Sequence, residues 1–242
     1  MGTKFSTRIW VSVVGIASIF FGSKGYADTV ISVADFGLKP DTRENAVAYV
    51  QKAIEACRGK EPVTLVFPEG RYDFWPQYAH EKNYYETNTY DVFPKRLAML
   101  FEGLHNITVD GNGSQFIMHD RIQPITVENC DGVTLKNFSI DWDIPLTAQA
   151  RVTKVGSDFF EIEINVLESP YIIEDGKLVF VGEGWKSALG SMIEFESDTH
   201  FVVPGTGDLV LGRNWRDYTA VSPRYGIVRL SCLLYTSDAA DD

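Results

Sequence analysis

Between residues 97 and 145 the chain is written in short apolar-polar alternations broken by Gly, Asn and Asp. The stretch lies over itself at an offset of 26 residues. Residues 105–111 (HNITVDG) fall over 131–137 (DGVTLKN). Met99, Leu100 and Phe101 then fall over Ile125, Thr126 and Val127, and Phe116, Ile117 and Met118 over Ile140, Asp141 and Trp142. Each copy holds three short β-prone runs separated by turn residues. A coil of three short strands cannot bury its inward face alone. A second coil stacked about 4.8 Å above it pairs every strand with its own repeat and closes a continuous apolar core. The pattern therefore predicts an all-β fold, a right-handed parallel β-helix. Ile107, Val109, Val133, Leu135 and Ile140 are expected to point inward, with Thr108 and Thr134 alternating outward. An antiparallel β-meander is the competing reading of the same runs.

The residues upstream favour the stacked reading. Residues 31–37 open as a strand. Asp41 and Glu44 have the spacing of a capping box, which predicts a helix from about Arg43 to Arg58. Val47, Val50, Ile54 and Cys57 fall on one stripe with Ala46 and Ala53 beside it, and Gly59 ends the run. A strand at 63–67, a turn at 68–70 and a further strand from Arg71 follow. The pieces VADFG (33–37), AIEAC (53–57) and VFPEGRY (66–72) resemble the start of the pectin-lyase-like β-helix enzymes. That resemblance implies that the helix plugs the open end of the stack, where the first coil would otherwise expose its core and unpaired strand groups.

Residues 72–93 carry eight aromatic side chains and follow neither helical nor strand periodicity. A long aromatic loop on a rigid scaffold is a candidate sugar-binding rim. Most of these rings are expected to pack the loop down, and one or two to touch substrate. After Trp142 the repeat stops at Pro145. Residues 148–155 and 159–166 read as a hairpin, with further alternating runs at 177–181, 192–196 and 201–203. Residues 146–231 are thus expected to form an inserted antiparallel, barrel-like β domain on a first domain of residues 28–145.

The two ends read differently. Lys4 and Arg8, the apolar run 9–21 and the small residues before Asp28 predict a secretory signal peptide over 1–27, and export to the periplasm or exterior of a Gram-negative bacterium. Residues 232–242 back-translate to something resembling a transposon end and sequencing adapter, so the natural gene is expected to run off near Ser231. The formal net charge of −11 disfavours nucleic acid, anionic lipid and polyanionic polysaccharide as partners, and suits a neutral substrate. Aromatics make up 13%. His80, His105, His119 and His200 lack zinc-ligand spacing, so no metal and no cofactor is expected. Cys57 and Cys130 read as two separate thiols, with a disulfide as the alternative that export permits.

Longer phrases narrow the resemblance. FWPQYAHEK (74–82), TN (87–88), DGNGSQFIMH (110–119) and FSIDWDIPLTAQARV (138–152) together resemble the bacterial α-1,3-galactosidases of glycoside hydrolase family 110. The resemblance implies an exo-acting, metal-independent, inverting enzyme that removes terminal α-1,3-linked galactose from glycans of the blood-group B kind. It also implies a β-helix interrupted by β-barrel domains. Inversion needs two carboxyl groups about 6.5–9.5 Å apart. Asp141 and Asp143, two apart in a strand, share a face at roughly 6.5–7 Å between Cα atoms. The family's catalytic acids lie on later coils, so no catalytic residue is carried over, and residues 28–231 alone are expected to be inactive and poorly soluble. For Asp141 and Asp143 three roles stay open: hydrogen bonding at a domain junction, substrate contact, and catalysis. The candidate substrate-binding residues are Trp75, Tyr78, Asp141, Trp142 and Asp143. The expected partner is an oligosaccharide with terminal galactose, with no nucleic acid and no membrane span. Two other classes remain: a pectate-lyase-type enzyme with calcium on paired aspartates, and a noncatalytic glycan-binding β-helix.

Overall fold

The structure, a computed structural model, describes residues 29–84, 93–204, 209–210 and 218–232. The expected signal peptide, residues 233–242 of the adapter-like tail, and Tyr85 and Tyr90 of the aromatic stretch lie outside the described residues. The chain opens with β1 (Thr29–Ser32), a 3-10 turn (Val33–Phe36) and α1 (Val47–Cys57). Then come β2 (Val63–Val66), β3 (Arg71–Phe74), β4 (His80–Tyr84), β5 (Phe93–Glu102), β6 (His105–Met118), β7 (Gln123–Glu128) and β8 (Asp131–Trp142). These strands pair mostly in parallel. β1, β2, β6 and β8 form one ladder, β3 joins the second half of β6, and β5 pairs with β7; only β4 runs antiparallel, against β5.

The repeat seen in the sequence is the register of these ladders. Met99 faces Ile125, Ile107 faces Val133, Phe116 faces Ile140 and Met118 faces Trp142. Rows of like residues therefore stack through the fold: Val63, Ile107 and Val133; Ile31, Leu65, Val109 and Leu135; Tyr72, Phe116 and Ile140. The offset of 26 shortens to 24 past a bulge between Asp110 and Ser114. Gly111 sits at that corner because a Cβ there would come within 2.5 Å of Phe138 Cβ. Inside, Phe67, Phe74 and Phe138 surround Phe116 at centroid distances of 4.7, 5.6 and 4.8 Å.

Leu135 and Ile140 take the expected inward rows, opposite the buried Val109 and Phe116, but are not themselves buried. Their exposures are 41% and 37%. They belong to β8, which pairs only with β6 among the described residues, so their rows have no neighbour on the other side.

The helix keeps its expected stripe: Val47, Val50, Ala53, Ile54 and Cys57 are all buried. Its start is corrected. Asp41 and Arg43 both have φ of 61°, a left-handed conformation no helix continues. Asp41 instead accepts a hydrogen bond from Arg71 N at 2.9 Å, tying the loop to β3, and Asn45 Oδ1 accepts from Val47 N. Burial pushes the Cys57 thiol up to about 11, and both Cys57 and Cys130 are free. The aromatic stretch is not all loop. Tyr72 and Phe74 are core residues, and β4 forms a hairpin with β5.

Beyond Pro145 all pairing among the described residues is antiparallel. β9 (Ala150–Val155), β10 (Phe159–Ile164), β11 (Tyr171–Glu174), β12 (Lys177–Gly182), β13 (Trp185–Ala188), β14 (Ser191–Met192), β15 (Leu209–Val210), β16 (Tyr218–Arg224) and β17 (Ile227–Cys232) follow. One sheet has the order β16-β17-β10-β9, another β11-β12-β13, and β14 pairs with β15. Phe160, Ile162, Leu178, Tyr218, Val228 and Leu230 form a hydrophobic cluster of their own, separate from that of the parallel strands. Among the described residues no helix is long and apolar enough to cross a membrane.

Phe116 lies at the meeting point of the aromatic rows. Phe116→Ala should cost roughly 3–5 kcal/mol of unfolding free energy, whereas Thr134→Ala on the outer face should stay within about 0.5 kcal/mol. Urea denaturation of the two variants measures the difference; equal losses would mean that Phe116 does not centre the core.

Candidate functional site

The parallel register continues past the strand ends and builds the candidate site. Phe74, Met118 and Trp142 stand in one row, so Trp75, His119 and Asp143 stand in the next. The ladder bonds continue too: His119 N donates to Phe74 O at 2.9 Å and Asp143 N to Met118 O at 3.1 Å. Side chains alternate along a strand. Phe74 and Met118 are fully buried, so the adjoining row of Trp75, His119 and Asp143 falls on the opposite, outer face. Trp75 and His119 are stacked, with ring centroids 3.8 Å apart and planes 9° from parallel. Asn45 fixes Trp75 from behind, accepting from its N–H and donating to its carbonyl.

Charges gather on this face. Asp73 has a fully buried side chain. Its Oδ1 accepts from Arg71 at 2.6 Å and lies 2.9 Å from His119 Nε2. Arg71 also donates to Asp143 Oδ1 at 2.8 Å. Arg43 approaches Asp73 and Asp143 at 3.7 Å each. The second ring nitrogen of His119 lies 2.7 Å from Glu183 Oε2, in the turn between β12 and β13. His119 thereby joins a carboxylate of the parallel strands to one of the antiparallel part. Burial alone would raise the Asp73 carboxyl, but hydrogen bonds from Arg71 and His119 outweigh it and hold it below its ordinary value. The same bonds to Asp73, against the opposing effect of burial, and those to Asp143 push Arg71 upward.

His119, Asp143 and Glu183 have ligand atoms within 4.8 Å of one another. Their partners describe a hydrogen-bonded cluster held by Arg71. Arg71 already neutralises Asp143, and the His119–Glu183 separation is that of a hydrogen bond, shorter than two ligands of one ion normally keep.

The five residues put forward from the sequence separate into groups. Trp75 and Asp143 share the outer row. Asp141 lies on the same strand face but bonds only locally, accepting from Trp142 N at 2.8 Å. Trp142 lies in the other row: it packs against the core, and its Nε1–H donates to Asp120 O. Tyr78 stands apart, 75% exposed with φ of 69°, in a shallow hollow of about 380 Å³ beside Tyr49 and Lys52 of α1. His119, Asp73 and Glu183 were not singled out from the sequence. The repeat could have found His119, because an offset of 24 places it over Asp143.

The comparisons define the class first. Residues 148–232 match the family model described as GLAA-B beta-barrel domain I. The antiparallel part is therefore a β-barrel domain of that description. Over most of its length the chain is similar to α-1,3-galactosidases. It is 58% identical over 205 residues to alpha-1,3-galactosidase B of Bacteroides thetaiotaomicron, covering 85% of this chain and 33% of that protein. It is 36% identical over 205 residues to alpha-1,3-galactosidase B of Phocaeicola vulgatus, covering 83% and 32%. With alpha-1,3-galactosidase A of Shewanella woodyi it shares 35% identity over 169 residues, covering 69% and 28%. The chain thus spans about a third of the length of the curated relatives it matches.

Asp73 sets a pH dependence. Its folded value lies below the ordinary 3.8, so the unfolded chain takes up the proton first as pH falls. The stability it confers is fully present above that ordinary value and is lost as pH falls through the lowered one. Asp73→Asn should cost roughly 1.5–3 kcal/mol near neutral pH, the worth of a hydrogen bond to a charged group, because Arg71 keeps Asp143 and His119 keeps Glu183. The deficit should narrow as pH falls below 3.8. Urea midpoints of both proteins between these limits measure it; a pH-independent deficit would contradict the role given to the charge.

Proposed function

We propose that the polypeptide carrying this chain is an exo-acting glycosidase that removes terminal α-1,3-linked galactose from glycans. The similarity to alpha-1,3-galactosidase B of Bacteroides thetaiotaomicron over 85% of the chain carries this reading. The GLAA-B match over residues 148–232 supports it independently. The parallel strands form, on this reading, the first coils of a right-handed parallel β-helix. Three parallel faces support it: β1-β2-β6-β8, β3-β6-β8 and β5-β7. Residues 28–145 make the capped first coils and 146–231 the inserted barrel domain. The leader-like residues 1–27 support export.

The proposed role of this chain is recognition. Trp75 offers an aromatic ring in the same outer row as the carboxylate of Asp143, with His119 between them, and Arg71 bonds that carboxylate. A sugar ring can lay its C–H face on an indole while its hydroxyls bond a fixed carboxylate. Hydrolysis with inversion takes an acid and a base about 6.5–9.5 Å apart. Asp73 is unsuited to either role, because it is fully buried and its carboxyl is held below its ordinary value by bonds from Arg71 and His119. We assign no catalytic residue to the described chain.

The complete polypeptide should release galactose from an α-1,3-galactosyl disaccharide, with the β-anomer appearing first by proton NMR and with no loss in EDTA. An α-anomer appearing first would exclude inversion, and full inhibition by EDTA would favour a metal-dependent reading. Trp75→Ala should raise KM more than it lowers Tm, with roughly 0.5–1.5 kcal/mol of binding lost beyond the contact area. Trp142→Ala should do the reverse, losing roughly 3–5 kcal/mol of stability. A KM unchanged in Trp75→Ala would remove it from the sugar site.

A further inference from the structure

A second aromatic surface begins three residues beyond Trp75. Residues 76–79 form a turn, closed by Ala79 N donating to Pro76 O at 3.1 Å. Tyr78 is the third residue of that turn and has φ of 69°. Turns with a positive φ at this position favour Gly or Asn, because a bulky side chain is strained there. Burial does not compensate, since Tyr78 is 75% exposed. The turn is nonetheless tied to the helix and the residues before it. Asn45 Nδ2 donates to Trp75 O at 3.3 Å and to Gln77 O at 2.9 Å, and Gln51 Nε2 donates to Tyr78 O at 3.0 Å.

The chain thus anchors an aromatic ring in water, at a position that suits neither its backbone nor its side chain. Strain held in place by surrounding bonds marks functional sites. The ring also has a partner. Tyr49 of α1 packs against the apolar core and lines, with Tyr78, the hollow of about 380 Å³ described above. Glu44 and Lys52 stand in the same lining with one charge of each sign, so the hollow favours neither anions nor cations. Its volume falls at the lower end of small-ligand sites. Trp75, His119 and Asp143 are not among its lining residues.

We propose that this hollow is a second glycan-binding position, separate from the Trp75 row, which takes a pyranose of a neutral sugar chain. Tyr78 and Tyr49 offer rings to its C–H face, and its hydroxyls can donate to Glu44 and accept from Lys52. The choice of a sugar as the ligand rests on the reading of the polypeptide as a glycosidase; the placement of the two rings does not. A glycan held at two points binds more tightly than at either alone, because the second contact forms within one complex. The position therefore favours long or densely branched glycans over a free disaccharide.

The test is affinity electrophoresis of the complete polypeptide through gels holding galactomannan or xyloglucan, two neutral, galactose-bearing polysaccharides. At least one should retard it. Tyr78→Asn should weaken that binding about two- to tenfold, the worth of one aromatic contact. Its Tm should hold or rise, because Asn tolerates the left-handed backbone. Tyr78→Phe keeps the ring and should keep the retardation. The loss in Tyr78→Asn should be the same in a Trp75→Ala background, as two separate positions require. No retardation in either gel, a fall in Tm with Tyr78→Asn, an equal loss in Tyr78→Phe, or a loss that vanishes without Trp75 would overturn the proposal. So would release of the bound protein by a proline-rich peptide but not by oligosaccharides of the same polysaccharide, which would make the hollow a peptide site. If the polypeptide frees no galactose from any α-1,3-galactoside, the proposed activity fails, and the dependence of retardation on Tyr78 still decides this inference.

Discussion

Parallel stacking in register is the constraint on which the rest of this structure depends. A single short strand can neither bury an apolar face nor pair both of its edges. Repeating it directly above itself does both, because like residues fall on like. The row of Ile31, Leu65, Val109 and Leu135 shows the rule, and its last member shows what happens where the stack has no further neighbour: Leu135 is left partly exposed. The helix follows from the same constraint. The amphipathic stripe of α1 covers one side of the first strands, where an apolar face would otherwise meet water.

Much of this was readable from residue order. An offset of 26 is a statement about hydrogen-bond pairing, and the ladders β6–β8 and β5–β7 follow it. The helix stripe was readable because 3.6-residue periodicity survives without knowledge of its partner. What escaped was decided by partners distant in the chain. Asp41 has the right spacing for a helix cap, yet its carboxylate is claimed by the backbone of Arg71, 30 residues on. His119 looks unremarkable in a list of histidines, since its meaning comes from Asp73 and from Glu183, 64 residues away in another domain's turn. Trp142 lay on the right strand, but one step along a strand reverses the face a side chain occupies.

The barrel domain and the parallel stack meet through chemistry that neither holds alone. His119 is buried and lies within hydrogen-bond reach of a carboxylate on each side. A flexible polar surface would permit sliding between the two parts. An imidazole clamped at both nitrogens and stacked on Trp75 does not. The row of Trp75, His119 and Asp143 is thus held from below by the ladder, from the side by Asn45 and from above by Glu183.

The bulge between Asp110 and Ser114 carries a consequence for how such a molecule can change over time. There β6 takes two more residues to turn the corner than β8 does, and the rows on either side remain aligned. Corners of this kind uncouple distance along the polypeptide from position in space. Insertions and deletions can accumulate at the bends while the vertical column of functional side chains stays where it is. Descendants of one ancestor could then differ widely in length and loop sequence and still keep Trp75, His119 and Asp143 in one row.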